Sequence, residues 1–500
     1  MRIWVTAVFV SSAFLSSAQL FGGTNPALAA YEDADYEKAI PLLQSALAAN
    51  RNDPVLTAAL LSSLVYRERV EDAMEAAAAD AINFPNAPEV LGARGEFAFY
   101  LGDMPEAEKL FRAAIKIKET PRACFGLSRL YRAACFYRTA RWFCMKAHEL
   151  DPEDAFITQR FLAYLPEPKR SELLPPFVAA HPWLYSQSER ARATSVEIAQ
   201  ELDTRRPFEM ENGGQESAIR LISITRGSGR LIGAGLELRI GARKPLRLLL
   251  DTGASGIVLR EDTIDKAELN HLGSGESWGI GDKGTRKSFA AVADECQIGS
   301  LKFRACILRG MSGKARVAGD DEDGLIGTDV FSNYVITIDF LNRKLRLKLQ
   351  PRRPPNPQGY DRVIPPDEAD FTPVFRFGHR LLISTEVNRK TTGLFLIDTG
   401  AQSSDIDSTF ARLSTKVHSD DSKRIRGVSG EVKDVFEADS AELHFAHFRQ
   451  SNLGLTSFNL NNAPQHQEVR MAGILGFPTL TLFRSITIDY RNGLVYFNYR

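Results

Sequence analysis

The tripeptide Asp-Thr-Gly occurs twice in this chain, at 251–253 and at 398–400, and each copy follows a run of hydrophobic residues. An apolar-apolar-Gly segment then follows each copy and ends at Gly327 or Gly476. The spacing from aspartate to that glycine is 76 residues in the first case (327 minus 251) and 78 in the second (476 minus 398). We therefore expect two similar lobes that arose by duplication, each delivering one aspartate.

The half of the chain that contains both tripeptides has the pattern of a β protein. Beyond Ser217, short segments rich in Leu, Ile, Val and Phe alternate with Gly, Asn and Asp, which predicts strands and tight turns. A proline-rich stretch divides this half. We predict an all-β bilobal region with a first lobe at 217–350, a proline-rich linker at 351–370 and a second lobe at 371–500.

The preceding region is rich in Ala and Leu and repeats itself. Prolines at 54, 88, 121 and 152 close successive units at spacings of 34, 33 and 31 residues. A period near 34 is typical of tetratricopeptide (TPR) repeats, which are pairs of helices. Residues 31–165 resemble about four such repeats, so we predict an all-α helical repeat domain, followed at 166–216 by a linker with short helices.

Such a repeat domain has two possible roles. It would form a groove that binds an extended peptide or a protein partner, or it would be a platform that packs on the second half. Arg94, Arg122, Arg129 and Arg138 would line a groove, although a solvated helical face would look the same.

The first 29 residues have the order of a secretory signal peptide. Arg2 precedes an apolar stretch from Ile3 to Leu15, and small residues end at Ala27-Leu28-Ala29. A membrane anchor is the alternative, but the apolar core is shorter than the roughly 20 residues that span a bilayer. We expect a periplasmic or secreted protein whose mature form does not span a membrane.

Lys plus Arg equals Asp plus Glu, 62 against 62, so net charge gives no reason to expect nucleic acid as a partner.

Cysteine usage predicts neither a metal site nor a catalytic thiol. The five cysteines lack Cys-x-x-Cys spacing. Cys296 and Cys306 either pair across a hairpin or stay as buried thiols, and both remain open. We expect no metal and no cofactor.

Taken together, residues 217–500 resemble the pepsin and retropepsin superfamily of aspartic peptidases, specifically its exported bacterial retropepsin-like forms. The resemblance implies an aspartic-type endopeptidase in which Asp251 and Asp398 face each other and share one proton. The ionised carboxylate would activate water while the protonated one binds the scissile carbonyl. A peptide or protein would be the substrate.

The resemblance also implies roles for the rest of each tripeptide. Thr252 and Thr399 would link the two active loops by hydrogen bonds, and Gly253 and Gly400 would permit a close backbone approach. The next residues are Ala254 and Ala401, where pepsin-like enzymes carry Ser or Thr.

Without those hydroxyl donors the dyad should titrate higher than that of pepsin, and the enzyme should work at milder acidity. Gln402, which stands where the first lobe has Ser255, would alter a supporting hydrogen bond.

In each lobe one glycine-rich segment lies between the aspartate and its downstream glycine. The resemblance implies that these two segments are hairpin flaps that cover the substrate. Ordinary surface hairpins are the alternative. The flap residues are Trp278, Gly279, Ile280 and Gly281 in the first lobe, and Gly427, Val428, Ser429 and Gly430 in the second.

Two rival interpretations remain. A non-catalytic scaffold would bind peptides or proteins through the repeats and a degenerate peptidase fold. Alternatively, each lobe would pair with a lobe of a second chain, although the presence of both aspartates in one chain favours an active monomer with an intramolecular dyad.

Overall fold

The structure is a computed structural model. It describes residues 25–185, 208–211, 214–227, 229–269, 271–312, 321–351, 359–420, 422–462 and 467–499. Most of the predicted signal peptide and part of the linker at 166–216 lie outside the described residues. The chain folds into an all-α helical region followed by an all-β bilobal region, which confirms the predicted fold class.

The helical region is an array of paired antiparallel helices, and the prolines of the repeat begin helices instead of closing them. Pro54, Pro88 and Pro121 each occupy the first position of a helix, where the missing N–H costs nothing and the fixed φ is already helical. The helices are α1 (Pro26–Glu32), α2 (Tyr36–Ala49), α3 (Pro54–Tyr66), α4 (Val70–Asn83), α5 (Pro88–Leu101), α6 (Met104–Ile117), α7 (Pro121–Ala133), α8 (Tyr137–Leu150), α9 (Ala155–Ala163) and α10 (Lys169–Ala180).

Helix α1 overlaps the predicted end of the signal peptide. The side chain of Asn25 caps this helix by accepting from the N–H of Ala27. Ala27 and Ala30 are buried in a small cluster with α2 and α3, where their size permits close packing. The predicted end of the signal peptide at 29 therefore lies inside a packed helix, which is the first helix of the part of the chain that the structure describes. None of the described helices is both long and apolar enough to cross a membrane.

The first lobe is built on a nine-stranded sheet with the order β1-β9-β6-β10-β5-β4-β8-β7, in which β3 pairs with β4. A short helix, α11 (Glu261–Lys266), follows β6. The strands are β1 (Glu209–Met210), β2 (Glu216–Arg220), β3 (Ile222–Arg226), β4 (Arg230–Ile240), β5 (Leu246–Asp251), β6 (Ile257–Arg260), β7 (His271–Ser277), β8 (Arg286–Ile298), β9 (Leu301–Met311), β10 (Gly324–Gly327), β11 (Tyr334–Asp339) and β12 (Lys344–Leu349).

The second lobe repeats this arrangement in an eight-stranded sheet with the order β14-β15-β16-β23-β17-β22-β21-β18. Helices α12 (Ser408–Ser414) and α13 (Phe477–Leu480) lie in this lobe. The strands are β13 (Thr372–Pro373), β14 (Phe375–Phe377), β15 (Arg380–Val387), β16 (Thr391–Asp398), β17 (Asp405–Asp407), β18 (Val417–Ser419), β19 (Arg426–Gly427), β20 (Gly430–Glu431), β21 (Phe436–Phe445), β22 (Phe448–Phe458), β23 (Gly473–Gly476), β24 (Phe483–Asp489) and β25 (Leu494–Tyr499).

A third sheet joins the lobes. Its order is β13-β25-β24-β11-β12-β2, so that strands from both lobes form one six-stranded layer. At its centre β11 and β24 are antiparallel, with Ile336 opposite Ile488 and Ile338 opposite Ile486. These four side chains are fully buried in the core that the two lobes share. The shared layer fixes the lobes relative to each other and places their aspartate loops face to face.

Cys296 and Cys306 form a disulfide between β8 and β9, which settles the alternative that the sequence left open. The other three cysteines, Cys124, Cys135 and Cys144, are buried free thiols in the helical region.

The helical region packs against the second lobe. The carbonyl of Tyr100 accepts from the N–H of Arg470 at 2.6 Å, and the ring of Phe99 meets that of Phe377 edge-on. The carboxylate of Glu468 receives Arg132 and Arg160, the latter at 2.9 Å. Through these contacts the helices hold the segment of the second lobe that leads into β23.

This packing corrects one part of the predicted peptide groove. Arg122 is largely buried between Asp154 at 2.5 Å and Glu96 at 3.7 Å, and Arg138 forms an ion pair with Asp361 at 3.2 Å. Arg129 is buried and donates to the carbonyl of Glu468 at 3.0 Å. Arg122 and Arg129 are therefore buried within the chain and cannot line an open groove, whereas Arg138 remains largely exposed beside Asp361.

Candidate active site

The two Asp-Thr-Gly loops occupy equivalent positions in the two lobes. Asp251 ends β5 and Asp398 ends β16. Beside them run the parallel strands β10 and β23, in which Gly327 pairs with Asp251 and Gly476 pairs with Asp398. These strands are hydrophobic and buried, because they lie at the centre of each lobe. The apolar-apolar-Gly segments found in the sequence are thus the strands that support the aspartates.

The threonines of the two loops bind each other reciprocally. The N–H of Thr252 donates to Oγ1 of Thr399 at 3.1 Å, and the N–H of Thr399 donates to Oγ1 of Thr252 at 3.0 Å. Each hydroxyl then donates at 2.7 Å to a carbonyl of the other lobe, that of Ile397 or Leu250. Both threonines are buried. Four hydrogen bonds therefore fix the loops with near two-fold symmetry.

Within this frame the two carboxyl groups share a hydrogen bond. Oδ1 of Asp251 accepts from the N–H of Gly253 at 2.7 Å. Oδ1 of Asp398 accepts from the N–H groups of Gly400 and Ala401 at 2.8 and 3.0 Å. Each carboxylate also lies against the glycine of the opposite loop, and a Cβ on Gly253 would stand 2.8 Å from Oδ2 of Asp398. Only glycine permits this approach.

Burial raises the pKa of both carboxyl groups of this pair. For Asp251 the neighbouring carboxylate of Asp398 raises the pKa further, well above its usual range. For Asp398 the N–H groups of Gly400 and Ala401 and the hydrogen bond from Asp251 oppose the effect of burial, although its pKa still stays raised. Two such carboxylates cannot both ionise easily, so the pair retains one proton.

The lobes support their loops with different residues. In the first lobe Asp329 accepts from the hydroxyl of Ser255 at 2.8 Å and from the N–H of Gly256 at 2.9 Å. In the second lobe Ser404 accepts from the N–H of Gly476 at 3.0 Å and bonds the hydroxyl of Thr479 at 2.7 Å.

Gln402, which corresponds to Ser255, is not part of that support. It accepts instead from Arg226 at 3.3 Å, near the mouth of the cleft. The support that Ser255 gives in the first lobe is supplied by Ser404, two residues after Gln402.

The two glycine-rich segments meet over the carboxyl pair. The first is the tip between β7 and β8, and the second is the hairpin of β19 and β20. The N–H of Ser429 donates to the carbonyl of Ile280 at 2.9 Å, and the carbonyl of Ser429 accepts from the N–H of Lys283 at 2.8 Å. Val428 lies against Gly279, where a Cβ would clash. The two tips therefore interlock to form a roof.

Between this roof and the loops lies a cleft with a volume of about 1310 Å³. It contains Asp251, Asp398 and the residues of both tips, so the structure brings the predicted site residues together around one space. The apolar side chains of Val258, Leu325 and Val428 pack together at its first-lobe side.

Sequence reasoning missed two residues that reach this cleft. Nε2 of His379 donates to the carbonyl of Gly253 at 3.0 Å, so a second-lobe side chain holds the first-lobe loop. Asp405 is nearly fully buried and accepts from the hydroxyl of Ser403 at 2.9 Å. Burial raises the pKa of Asp405 to about 7. A signal for Asp405 existed, because aligning the two Asp-Thr-Gly copies sets it against Val258.

Residues 236–330 match the model of a family described as aspartyl protease. The matched segment contains Asp251 and covers most of the first lobe. Among solved structures, the chain is similar to a thermophilic TPR protein from Thermus thermophilus, with 21% identity over 27% of this chain and 76% of that one and a TM-score of 0.23. No curated protein has a matching sequence.

Proposed function

We propose that this protein is an aspartic endopeptidase that hydrolyses peptide bonds with a water molecule activated between Asp251 and Asp398. The observation that carries the proposal is the hydrogen-bonded carboxyl pair on two loops that Thr252 and Thr399 fix reciprocally. The match of residues 236–330 to the aspartyl protease family supports the same chemistry.

The surroundings of the pair favour one assignment of its proton. The Asp398 carboxylate accepts from two N–H groups at 2.8 and 3.0 Å, and such donors stabilise the charged form. The carboxyl group of Asp251, which accepts from the single N–H group of Gly253, then carries the shared proton. In the reaction Asp398 would take a proton from water while Asp251 hydrogen-bonds the substrate carbonyl. As the tetrahedral intermediate collapses, Asp398 gives the proton that it took from water to the leaving amine, without a covalent enzyme intermediate.

Substrate would lie in the cleft as an extended strand, with alternate side chains directed to opposite walls. The interlocked tips at Ile280 and Ser429 must separate to admit a chain and would close over it afterwards. Closure excludes water from the reacting atoms.

We also propose that the protein is exported and acts as a monomer. The amino-terminal pattern favours export, and a disulfide at Cys296–Cys306 is typical of an oxidising compartment. One chain supplies both aspartates, so a second copy is not required. The helices form a platform for the second lobe, and we propose that the helical faces outside that contact recruit a protein partner.

The test is cleavage of a mixed peptide library between about pH 4 and 7. Asp251→Asn and Asp398→Asn should each lower kcat by at least about 100-fold, the lower range for general acid–base groups. Asp439→Asn, which changes an exposed aspartate outside the cleft, is the matched control and should retain activity. If the correctly folded protein cleaves no peptide at any pH, or if both dyad variants cleave normally, the proposal is wrong.

A further inference from the structure

Among the described residues, eight basic and five acidic side chains line the cleft, although the whole chain has 62 basic and 62 acidic residues. The basic side chains come from both tips, from the β3–β4 hairpin and from the cleft walls. The basic residues are Arg226, Arg230, Lys283, Arg286, Arg309, Arg380, Arg424 and Arg426.

Several of these cations have no acidic partner within the part of the chain that the structure describes. Arg286, for example, donates to the carbonyl of Ser312, a neutral acceptor. A further four form no salt bridge with any described residue, and two of them lie on the roof. These four are Arg230, Lys283, Arg424 and Arg426.

The acidic groups of the cleft do not balance this charge. Asp251 and Asp398 share a proton, and Glu468 is already bound by Arg132 and Arg160 of the helical region. Asp405 lines the cleft but is almost fully buried. Glu276 is the remaining acidic residue among those lining the cleft. A cleft lined by one sign of charge concentrates ligands of the opposite sign.

Apolar side chains next to the active loops also line the cleft. Val258 and Leu325 lie on the first-lobe side, Ile474 and Phe458 on the second-lobe side, and Val428 in the roof. An extended peptide would therefore meet apolar walls beside the active loops and cations contributed by both lobes.

We propose that the cleft selects peptides that carry acidic side chains, Glu or Asp, on either side of an apolar scissile pair. This inference rests on the proposed function and specifies its substrate class. The roof cations Lys283 and Arg426 and the β3–β4 cation Arg230 would contact the substrate carboxylates.

The experiment compares three peptides that share one apolar cleavage site and differ only in their flanking residues, which are Glu, Gln or Lys. We expect kcat/KM to fall in the order Glu, Gln, Lys, by roughly two- to fivefold for each Glu changed to Gln, the range for exposed ion pairs. The advantage of Glu over Gln should shrink as salt rises from about 0.05 M to about 0.5 M.

Two double variants test whether the preference for Glu depends on the cations of the cleft. Arg230→Gln with Arg426→Gln should reduce the Glu-to-Gln ratio of kcat/KM. Arg449→Gln with Arg484→Gln removes two exposed arginines of the second lobe outside the cleft and should leave that ratio unchanged. An equal loss of the ratio in both variants would point to net charge alone and overturn the inference.

A binding measurement separates this inference from the proposed function. Fluorescence anisotropy with the Asp251→Asn variant should show tighter binding of the Glu peptide than of the Gln peptide. Cleavage of all three peptides at equal kcat/KM would overturn the substrate preference and leave the peptidase proposal standing. Absence of any cleavage, with binding still selective for Glu, would overturn the peptidase proposal instead. If polyuridylate binds as tightly as the Glu peptide, the cations serve general anion binding and the inference fails.

Discussion

The two lobes are nearly identical where they meet and different immediately behind that point. The hydrogen bonds of Thr252 and Thr399 are mirrored within about a tenth of an ångström, at 3.1 and 3.0 Å for the N–H groups and 2.7 Å for both hydroxyls. Behind the loops, Asp329 supports the first lobe, whereas Ser404 and Thr479 support the second. Two-fold symmetry is thus retained where two carboxylates must share a proton, and the support is free to differ.

The lobes also differ in what stabilises their outer parts. In the first lobe the disulfide between Cys296 and Cys306 joins β8 and β9. The second lobe has no cysteine and is held instead by the helical region, through Glu468 and Arg470. The disulfide thus stabilises the outer part of the first lobe, and the docked helical region stabilises that of the second lobe.

The largest effect on the free energy of unfolding should come from a substitution at the end of the strand that follows each active loop. Asp407 is fully buried, caps α12 and binds Arg470 at 3.0 Å. Its counterpart Arg260 is partly exposed and lies 3.5 Å from Asp323. Asp407→Ala should lower the free energy of unfolding by about 3–5 kcal/mol, because it leaves a buried guanidinium unpaired. Arg260→Ala should cost less than about 1 kcal/mol.

Urea denaturation of the two variants, followed by tryptophan fluorescence and circular dichroism, measures the difference. Equal losses in both variants would show that the two strand ends are equally important to stability. That result would contradict the contrast between the lobes.

The disulfide should have the next largest effect, and it should be confined to the first lobe. Changing both Cys296 and Cys306 to Ser should cost about 3 kcal/mol, the chain-entropy value for a loop of this length. Hydrogen exchange should accelerate in β8 and β9, while β21 and β22, the corresponding hairpin of the second lobe, should keep their protection. Faster exchange in both hairpins would mean that the shared sheet transmits the loss between lobes.

The sequence predicts the features of this protein that depend on short segments. Asp-Thr-Gly twice, each with its downstream apolar-apolar-Gly, is enough to predict two lobes and their aspartates, since each motif is built from residues close together in the chain. The proline spacing likewise predicts paired helices, although Pro54, Pro88 and Pro121 begin helices and do not end them.

Features that depend on residues far apart in the chain could not be predicted from the sequence. Arg132 and Glu468 are 336 residues apart, and neither carries a pattern that indicates the other. The basic lining of the cleft could not be predicted either, because its cations are spread from 226 to 426 in a chain whose charges cancel overall. Only the fold brings such residues to one surface.

The smallest effect concerns a single pair of equivalent positions, Val258 and Asp405. Burial raises the pKa of Asp405 to about 7, so in the folded state its protonated form is favoured. A folded pKa above the unfolded one gives stability that is present at low pH and lost as the pH rises through about 7. Between about pH 5 and 8 the wild type should therefore lose about 2.7 kcal/mol that Asp405→Val does not lose.

Urea denaturation at both pH values measures this difference, with the reciprocal change as its control. Val258→Asp places a carboxyl group at the equivalent buried position of the first lobe, so it should steepen the loss of stability with pH. If Asp405→Val has the same pH dependence as the wild type, the carboxylate of Asp405 is already ionised and stabilised at pH 5. The lobes would then differ at this position in shape and not in charge.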